Sequence, residues 1–249
     1  TKAQAEALPR VDGKAMNQKK RKKRQKKVLW TYEPLDNMTL PIEPKRSKKT
    51  SYNADAKADS LNKIMCRQAM VSDLGPKNTK LKALVLDAED TQFSELLVTS
   101  HGVRTVNIDV PNCNGPEVVE QMNDRGFATV HDSFLGDFVR ATTPKKYDLL
   151  FLDYCGQCGD VNKPNTPLHD INELFGGGFV AKSAVLGVTV CLRSHAKTTV
   201  MYQNMHQMAN AVTSAAFSNG YLARTKMQTI YKDKGSQTMC FVCFYINKL

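Results

Sequence analysis

The 249 residues suit one domain with an appendage, and 35 Lys and Arg against 24 Asp and Glu leave a net charge of +11. That charge is concentrated: residues 1–50 hold 15 cationic and 5 acidic side chains, whereas the remaining 199 hold 20 and 19. No run approaches the roughly 20 apolar residues that span a bilayer, the start TKAQAEALPR lacks a signal peptide's apolar core, and seven cysteines without such a signal read as reduced thiols of the cytosol or nucleus. The absence of a methionine at the start reads as a chain that continues upstream.

Residues 1–57 form the predicted basic arm and linker, disordered over 1–27. Lys19, Lys20, Arg21, Lys22, Lys23, Arg24, Lys26 and Lys27 are eight cations in nine residues, a run that repels itself and cannot build a core. It reads as a nucleic-acid-binding arm or a nuclear-import signal, with a merely solvating leader as the bland alternative. Val28–Pro44 contains Trp30 and Tyr32 among three prolines and is expected to pack against its own domain, since a bare indole in water wastes its apolar surface.

The folded body is predicted over 58–249. Ser60 caps a first helix with Leu61, Ile64, Met65 and Val71 on one side. Lys82–Asp87 (KALVLD) is an apolar run ending in a carboxylate, followed by a helix with Phe93, Leu96 and Leu97 inward and Gly102 as its stop. Arg104–Val110 (RTVNIDV) carries Asp109, and Gly115-Pro116 opens the next helix. Phe127–His131 (FATVH) precedes Asp132, and Tyr147–Gly156 (YDLLFLDYCG) delivers Asp153, Tyr154 and Cys155 to a loop. Thr166-Pro167 opens a helix that Gly176–Gly178 ends; three glycines before a strand serve as a connector rather than a phosphate cradle. Ala184–Leu192 is a fifth strand, and Thr198–Asn219 is a helix with Met201, Met205, Met208, Val212 and Ala216 inward. Thr225–Asn247 closes the chain as two strands around Asp233–Ser236, the last apolar on both faces. Strands alternating with helices of ten to fifteen residues imply an α/β fold: a Rossmann-like, mostly parallel sheet of seven strands, helices on both faces, and a C-terminal antiparallel hairpin.

Five βα units followed by a terminal hairpin resemble the class I S-adenosylmethionine-dependent methyltransferases, whose strand order is 3-2-1-4-5-7-6. The resemblance covers residues 60–249 and rests on element order and four acidic strand ends. It implies S-adenosylmethionine as cofactor. Asp87 would lie near its methionine end, Asp109 would grip the ribose hydroxyls and Asp132 would hold the adenine amino group. Asp153-Tyr154-Cys155-Gly156 is similar to the loops with which nucleic-acid amino-methylating enzymes hold the target amine and stack an aromatic ring on the base, so Asp153 and Tyr154 are the implied catalytic pair. The first loop, LDAEDTQFSELL, departs from the family in having no glycine between Asp87 and Gly102.

Other chemistries fit less well. Cys155-x-x-Cys158 and Cys240-x-x-Cys243 could suggest four-thiolate zinc, but residues three apart on a strand face opposite ways, so no metal is expected. Cys155 as a nucleophile lacks the neighbouring proline of cytosine-methylating enzymes. His131 and His195, at strand ends, are candidate proton-transfer groups. A nicotinamide-dependent oxidoreductase is disfavoured by the lack of GxGxxG. Two functions remain: methyl transfer to a nucleic acid, at a base amino group, or a catalytically inactive methyltransferase-like scaffold in a nucleoprotein assembly. Both imply DNA or RNA as partner, no membrane, and a nuclear or otherwise nucleic-acid-associated location.

Overall fold

The computed structural model describes residues 61–154, 156–192, 198–232 and 238–249, with the side chains of 198–201 excepted. The basic run, Trp30, Tyr32, Ser60, Cys155, His195 and the turn at 233–237 therefore lie outside the described residues. In chain order the elements are α1 (Leu61–Val71), β1 (Ala83–Leu86), α2 (Gln92–His101), β2 (Ile108–Asn112), α3 (Pro116–Asp124), β3 (Thr129–Asp132), α4 (Leu135–Ala141), β4 (Tyr147–Asp153), α5 (Pro167–Gly176), β5 (Val180–Cys191), α6 (Thr198–Ser218), β6 (Tyr221–Lys232) and β7 (Thr238–Lys248).

The strands form one sheet in the order β3-β2-β1-β4-β5-β7-β6. The first five run parallel, and β7 inserts antiparallel between β5 and β6. The period-2 side-chain alternation of a strand divides the core into two layers. In β4, Leu150 and Leu152 face α4, α5 and α6, meeting Phe138, Ile171, Leu174, Met208 and Val212. Leu149 and Phe151 face the other way, toward Met70 of α1, Phe93 and Leu97 of α2, and Met122 of α3. The rings of Phe93 and Phe151 lie 4.5 Å apart. Each such side chain, once fully buried, contributes about 1.5–3 kcal/mol by removing apolar surface from water. Strand β7 is buried on both sides, as its doubly apolar sequence requires: Cys240 joins one layer and Cys243 the other, so the two thiols cannot share an ion.

Several boundaries differ from the sequence expectation. Strand β5 begins at Val180 rather than Ala184, and β6 at Tyr221 rather than Thr225, because pairing with neighbours carries both strands through polar residues. A short helix, α4, follows β3 and completes the third βα unit. In α1 the buried face is Cys66, Met70 and Val71, while Leu61, Ile64 and Met65 are exposed; of the apolar stripe read from spacing only Val71 reaches the core. Thr166 does not cap α5 with its side chain; its hydroxyl donates instead to the carbonyls of Asp160 and Lys163, at 2.7 and 2.9 Å, and closes the preceding loop. Gly102 does stop α2, at φ 64°. No helix among the described residues is long and apolar enough to cross a membrane.

Candidate functional site

In an open parallel sheet the crevice beyond the carboxyl ends of the strands, where the chain order reverses, is the place for ligands. Here the reversal falls between β1 and β4. Register places Asp132 of β3 beside Asn112 of β2, and the Asn112 amide donates to the backbone carbonyl of Asp87 at 3.4 Å. Leu86 pairs with Leu152, which brings Asp87 beside Asp153. The rim therefore reads Asp132, Asn112, Asp87, Asp153 across four adjacent strands.

The individual side chains are engaged very differently. Asp132 is exposed and stands next to Phe134, an aromatic ring that is 49% exposed directly after β3. The Asp87 carboxylate accepts the backbone N–H of Ser94 at 2.8 Å and of Phe93 at 3.4 Å, satisfying donors that the first turn of a helix leaves open. Burial raises its pKa, against the opposing pull of the Ser94 bonds and of Arg67. Asp153 pairs with Lys63 of α1 at 3.1 Å. One turn further along α1, Arg67 donates to Gln92, so two cations of one helix face the carboxylate rim.

The loop between Asp87 and α2 is the part where a glycine-rich sequence was expected. Thr91 stands there at φ 51°, the left-handed region that favours glycine, and its side chain is fully buried. Oγ of Thr91 and Oδ1 of Asp90 are buried without a hydrogen-bond partner. A buried polar atom left unpaired costs about 1–3 kcal/mol, and a left-handed β-branched residue adds on the order of 1–3 kcal/mol more. Such concentrated strain is characteristic of ligand-binding loops.

Two expected site residues are placed elsewhere. Asp109 is the second residue of β2, not its end, and pairs with Leu84 and Thr129. It lies three residues before Asn112, roughly 10 Å back along the strand. Its carboxylate accepts the Tyr147 hydroxyl at 2.9 Å, Lys145 Nζ, and His131 Nε2 at 3.0 Å. Burial pushes the Asp109 pKa up, but the hydrogen bonds from His131, Lys145 and Tyr147 outweigh it and hold it below the usual range. His131, whose ring also meets Phe138 at 4.7 Å, is thus part of a structural network. The residue that β2 brings to the rim is Asn112. The clue was present in RTVNIDVPN, since parallel strands end level and Asn112 is the polar residue level with Asp87.

Tyr154 is turned inward. Its hydroxyl donates to Asp170 of α5 at 2.9 Å, and its ring packs against the core layer under α5 and α6. Asp170 is 2% exposed, and His169 Nδ1 stands 3.9 Å from its Oδ1. The ring is therefore not offered to the crevice as a stacking platform. Two of the buried thiols are also poor nucleophiles: burial pushes Cys66 and Cys243 up to about 12, leaving them protonated.

No protein-family model matches the sequence, and comparison with curated proteins finds no match. Solved structures do match. The yhhF protein of Escherichia coli, a provisionally assigned methyltransferase, superposes with a TM-score of 0.51 at 14% identity, over 77% of this chain and 90% of that one. Trm5b from Pyrococcus abyssi superposes with a TM-score of 0.50 at 10% identity, over 74% of this chain and 48% of that one. The fold is that of the class I S-adenosylmethionine-dependent methyltransferases. Within this methyltransferase fold, the rim from Asp132 to Asp153 occupies the ligand crevice, and the chemistry of the residues present suits the cofactor. Carboxylates favour a sulfonium cation, Phe134 offers a face to a flat heterocycle, and the Thr91 hydroxyl is a buried polar group without a partner. Asp109 is the residue that does not fit.

Proposed function

We propose that the protein transfers a methyl group from S-adenosylmethionine to a nucleic acid, at a base amino group. The observation that carries this reading is the carboxylate rim across β3, β2, β1 and β4, beside a first loop that holds Thr91 in a glycine-like conformation. The bound cofactor would supply an electrophilic methyl group for in-line displacement by an amine, which then loses a proton. Such a displacement needs positioning more than acid–base help. Asp132, with Phe134, would hold the adenine. Asn112 would face the ribose, and Asp87 would keep the start of α2 in place near the methionine end. Asp153 would accept a hydrogen bond from the target amine in exchange for Lys63, whose flexible stem allows it to move aside. The eight cations of residues 19–27 would attract phosphates without regard to sequence, and would place the protein in the nucleus or with its nucleic-acid partner.

S-adenosylmethionine and S-adenosylhomocysteine should each raise the melting temperature by mass action. Asp132→Ala should abolish that rise and leave the apo protein as stable as before, because Asp132 is exposed. Asp87→Ala should abolish it too, and should also cost about 0.5–2 kcal/mol through the lost cap. No thermal shift at millimolar ligand, on a folded sample, would retire the enzyme reading.

A second reading has its own support. Lys63 occupies Asp153, and Asp170 occupies Tyr154, so both side chains expected to hold the target are already engaged. A catalytically inactive methyltransferase-like scaffold in a nucleoprotein assembly would have that arrangement.

A further inference from the structure

Beyond the carboxyl ends of β4 and β5 the chain builds a second concavity that none of the site residues above lines. The segment after β4 runs alongside β5: Tyr154 N–H donates to the Thr189 carbonyl at 3.0 Å, and Cys191 N–H to the Gly156 carbonyl at 2.9 Å. The chain then turns so that Cys158 is buried against α6, its thiol 4.0 Å from the Asn204 carbonyl. The result is a cleft of about 250 Å³. Its floor is buried and weakly polar, made by Cys158, Cys191 and Leu192, and its rim carries the carboxamides of Gln157, Asn204 and Gln207. Gln157 and Gln207 are exposed and Asn204 is half-buried.

Three properties narrow the ligand. Among the described residues no charged side chain lines the cleft, so those residues offer no partner to a phosphate, carboxylate or ammonium placed against them. The three carboxamides have no hydrogen bond to the described residues, and each offers one acceptor and two donors. The volume far exceeds the ~30 Å³ share of one water yet falls below the ~300–1,000 Å³ of a drug-sized site. A single neutral ring system with alternating donors and acceptors along its edge meets all three conditions. Asn and Gln carboxamides pair with such edges in a bidentate manner, while the floor takes the ring face.

We infer that this cleft is a nucleobase-binding subsite, in which Gln157, Asn204 and Gln207 read the edge of one unstacked base. The inference deepens the proposed methyl transfer to nucleic acid and rests on that reading for its biological meaning.

The test uses the full chain, saturated with S-adenosylhomocysteine so that nucleosides cannot occupy the cofactor crevice. Adenosine, guanosine, cytidine and uridine are titrated separately while the side-chain amide resonances of Gln157, Asn204 and Gln207 are followed by NMR. Nucleosides carry no phosphate, so the basic arm contributes nothing. At least one nucleoside should shift all three side chains, and Asn204→Ala/Gln207→Ala should weaken its binding at least tenfold with the melting temperature unchanged. Gln157→Ala, on the other wall, should weaken it independently. If none of the four moves these resonances up to its solubility limit, or if the variants bind as tightly as the parent, the inference fails. Calorimetry with S-adenosylmethionine on the ligand-free protein separates the two claims. Cofactor heat without nucleoside shifts overturns the cleft alone. Nucleoside shifts without cofactor heat overturn methyl transfer alone.

Discussion

At the scale of single residues, Asp109 and Asp170 show how one side-chain type acquires opposite behaviour from its surroundings. Both are buried carboxylates. Asp109 has three donors, which hold its pKa below the usual range, so its contribution to stability is present at neutral pH and is lost as pH falls through that lowered value. Asp170 has the Tyr154 hydroxyl on one oxygen at 2.9 Å, and the other has only the more distant His169 Nδ1, at 3.9 Å. Burial raises its pKa, and the Tyr154 hydroxyl, His169 and Arg140 only partly oppose that. A raised carboxyl contributes stability below its ordinary value near ~4 and loses it as pH rises through the folded value. Asp170→Asn cannot ionise, and its amide oxygen still accepts from Tyr154. The melting temperature of this variant relative to the parent should therefore climb between about pH 4 and pH 7. Parallel curves across that range would show that Asp170 does not titrate as its burial requires. Neither Asp109's network nor the Tyr154–Asp170 bond could be read from the sequence, because each joins residues distant along the chain.

At the scale of elements, α1 lies on the sheet through one close approach. A Cβ added at Gly187 of β5 would stand 2.3 Å from Met70 Sδ and 3.0 Å from the Phe241 ring. The glycine inside AVLGVTVCL, which looks like a blemish in a strand, is what lets the helix sit down. Gly187→Ala should destabilise the protein by about 1–3 kcal/mol, the usual cost of overpacking, measured by denaturant unfolding. In a Met70→Ala background the same change should cost much less, giving a clear coupling term in the double-mutant cycle. Strict additivity would mean that α1 does not bear on β5 at this point. The same packing explains the misread face of α1. Spacing alone joined Leu61, Ile64, Met65 and Val71 into a stripe, but the helix turns Cys66, Met70 and Val71 inward and leaves the other three exposed.

At the scale of the whole molecule, charge and fold are segregated. The body over residues 51–249 is nearly neutral, whereas residues 1–50 carry a surplus of ten positive charges. Non-specific affinity for nucleic acid is expected to reside in the arm. If about six of its cations contact duplex phosphates, log K should fall against log salt with a slope near −5. Removing residues 1–27 should flatten that slope and weaken DNA and RNA binding, with no loss of thermal stability in the body. Equal affinity and equal salt dependence with and without the arm would instead leave the run as an import signal or a solvated leader.

The order of strands and helices was legible in the sequence because each element carries its own local signal. Apolar runs end at Asp87, Asp132 and Asp153, glycine stands at 102 and 220, and both faces of Thr238–Ile246 are apolar. The rim carboxylates were legible for the same reason, since a strand's carboxyl end is a local feature. Only the tertiary structure decided which of these groups are available. Asp87 is taken up by the amides of α2, Asp153 by Lys63, Tyr154 by Asp170 and Asp109 by His131, Lys145 and Tyr147. Those partners come from other elements, at separations in sequence that no periodicity reports. The lateral register that sets Asn112 level with Asp87, and the meeting of Gln157 with Asn204 and Gln207 across a cleft, exist only once the sheet has paired and α6 has packed on it.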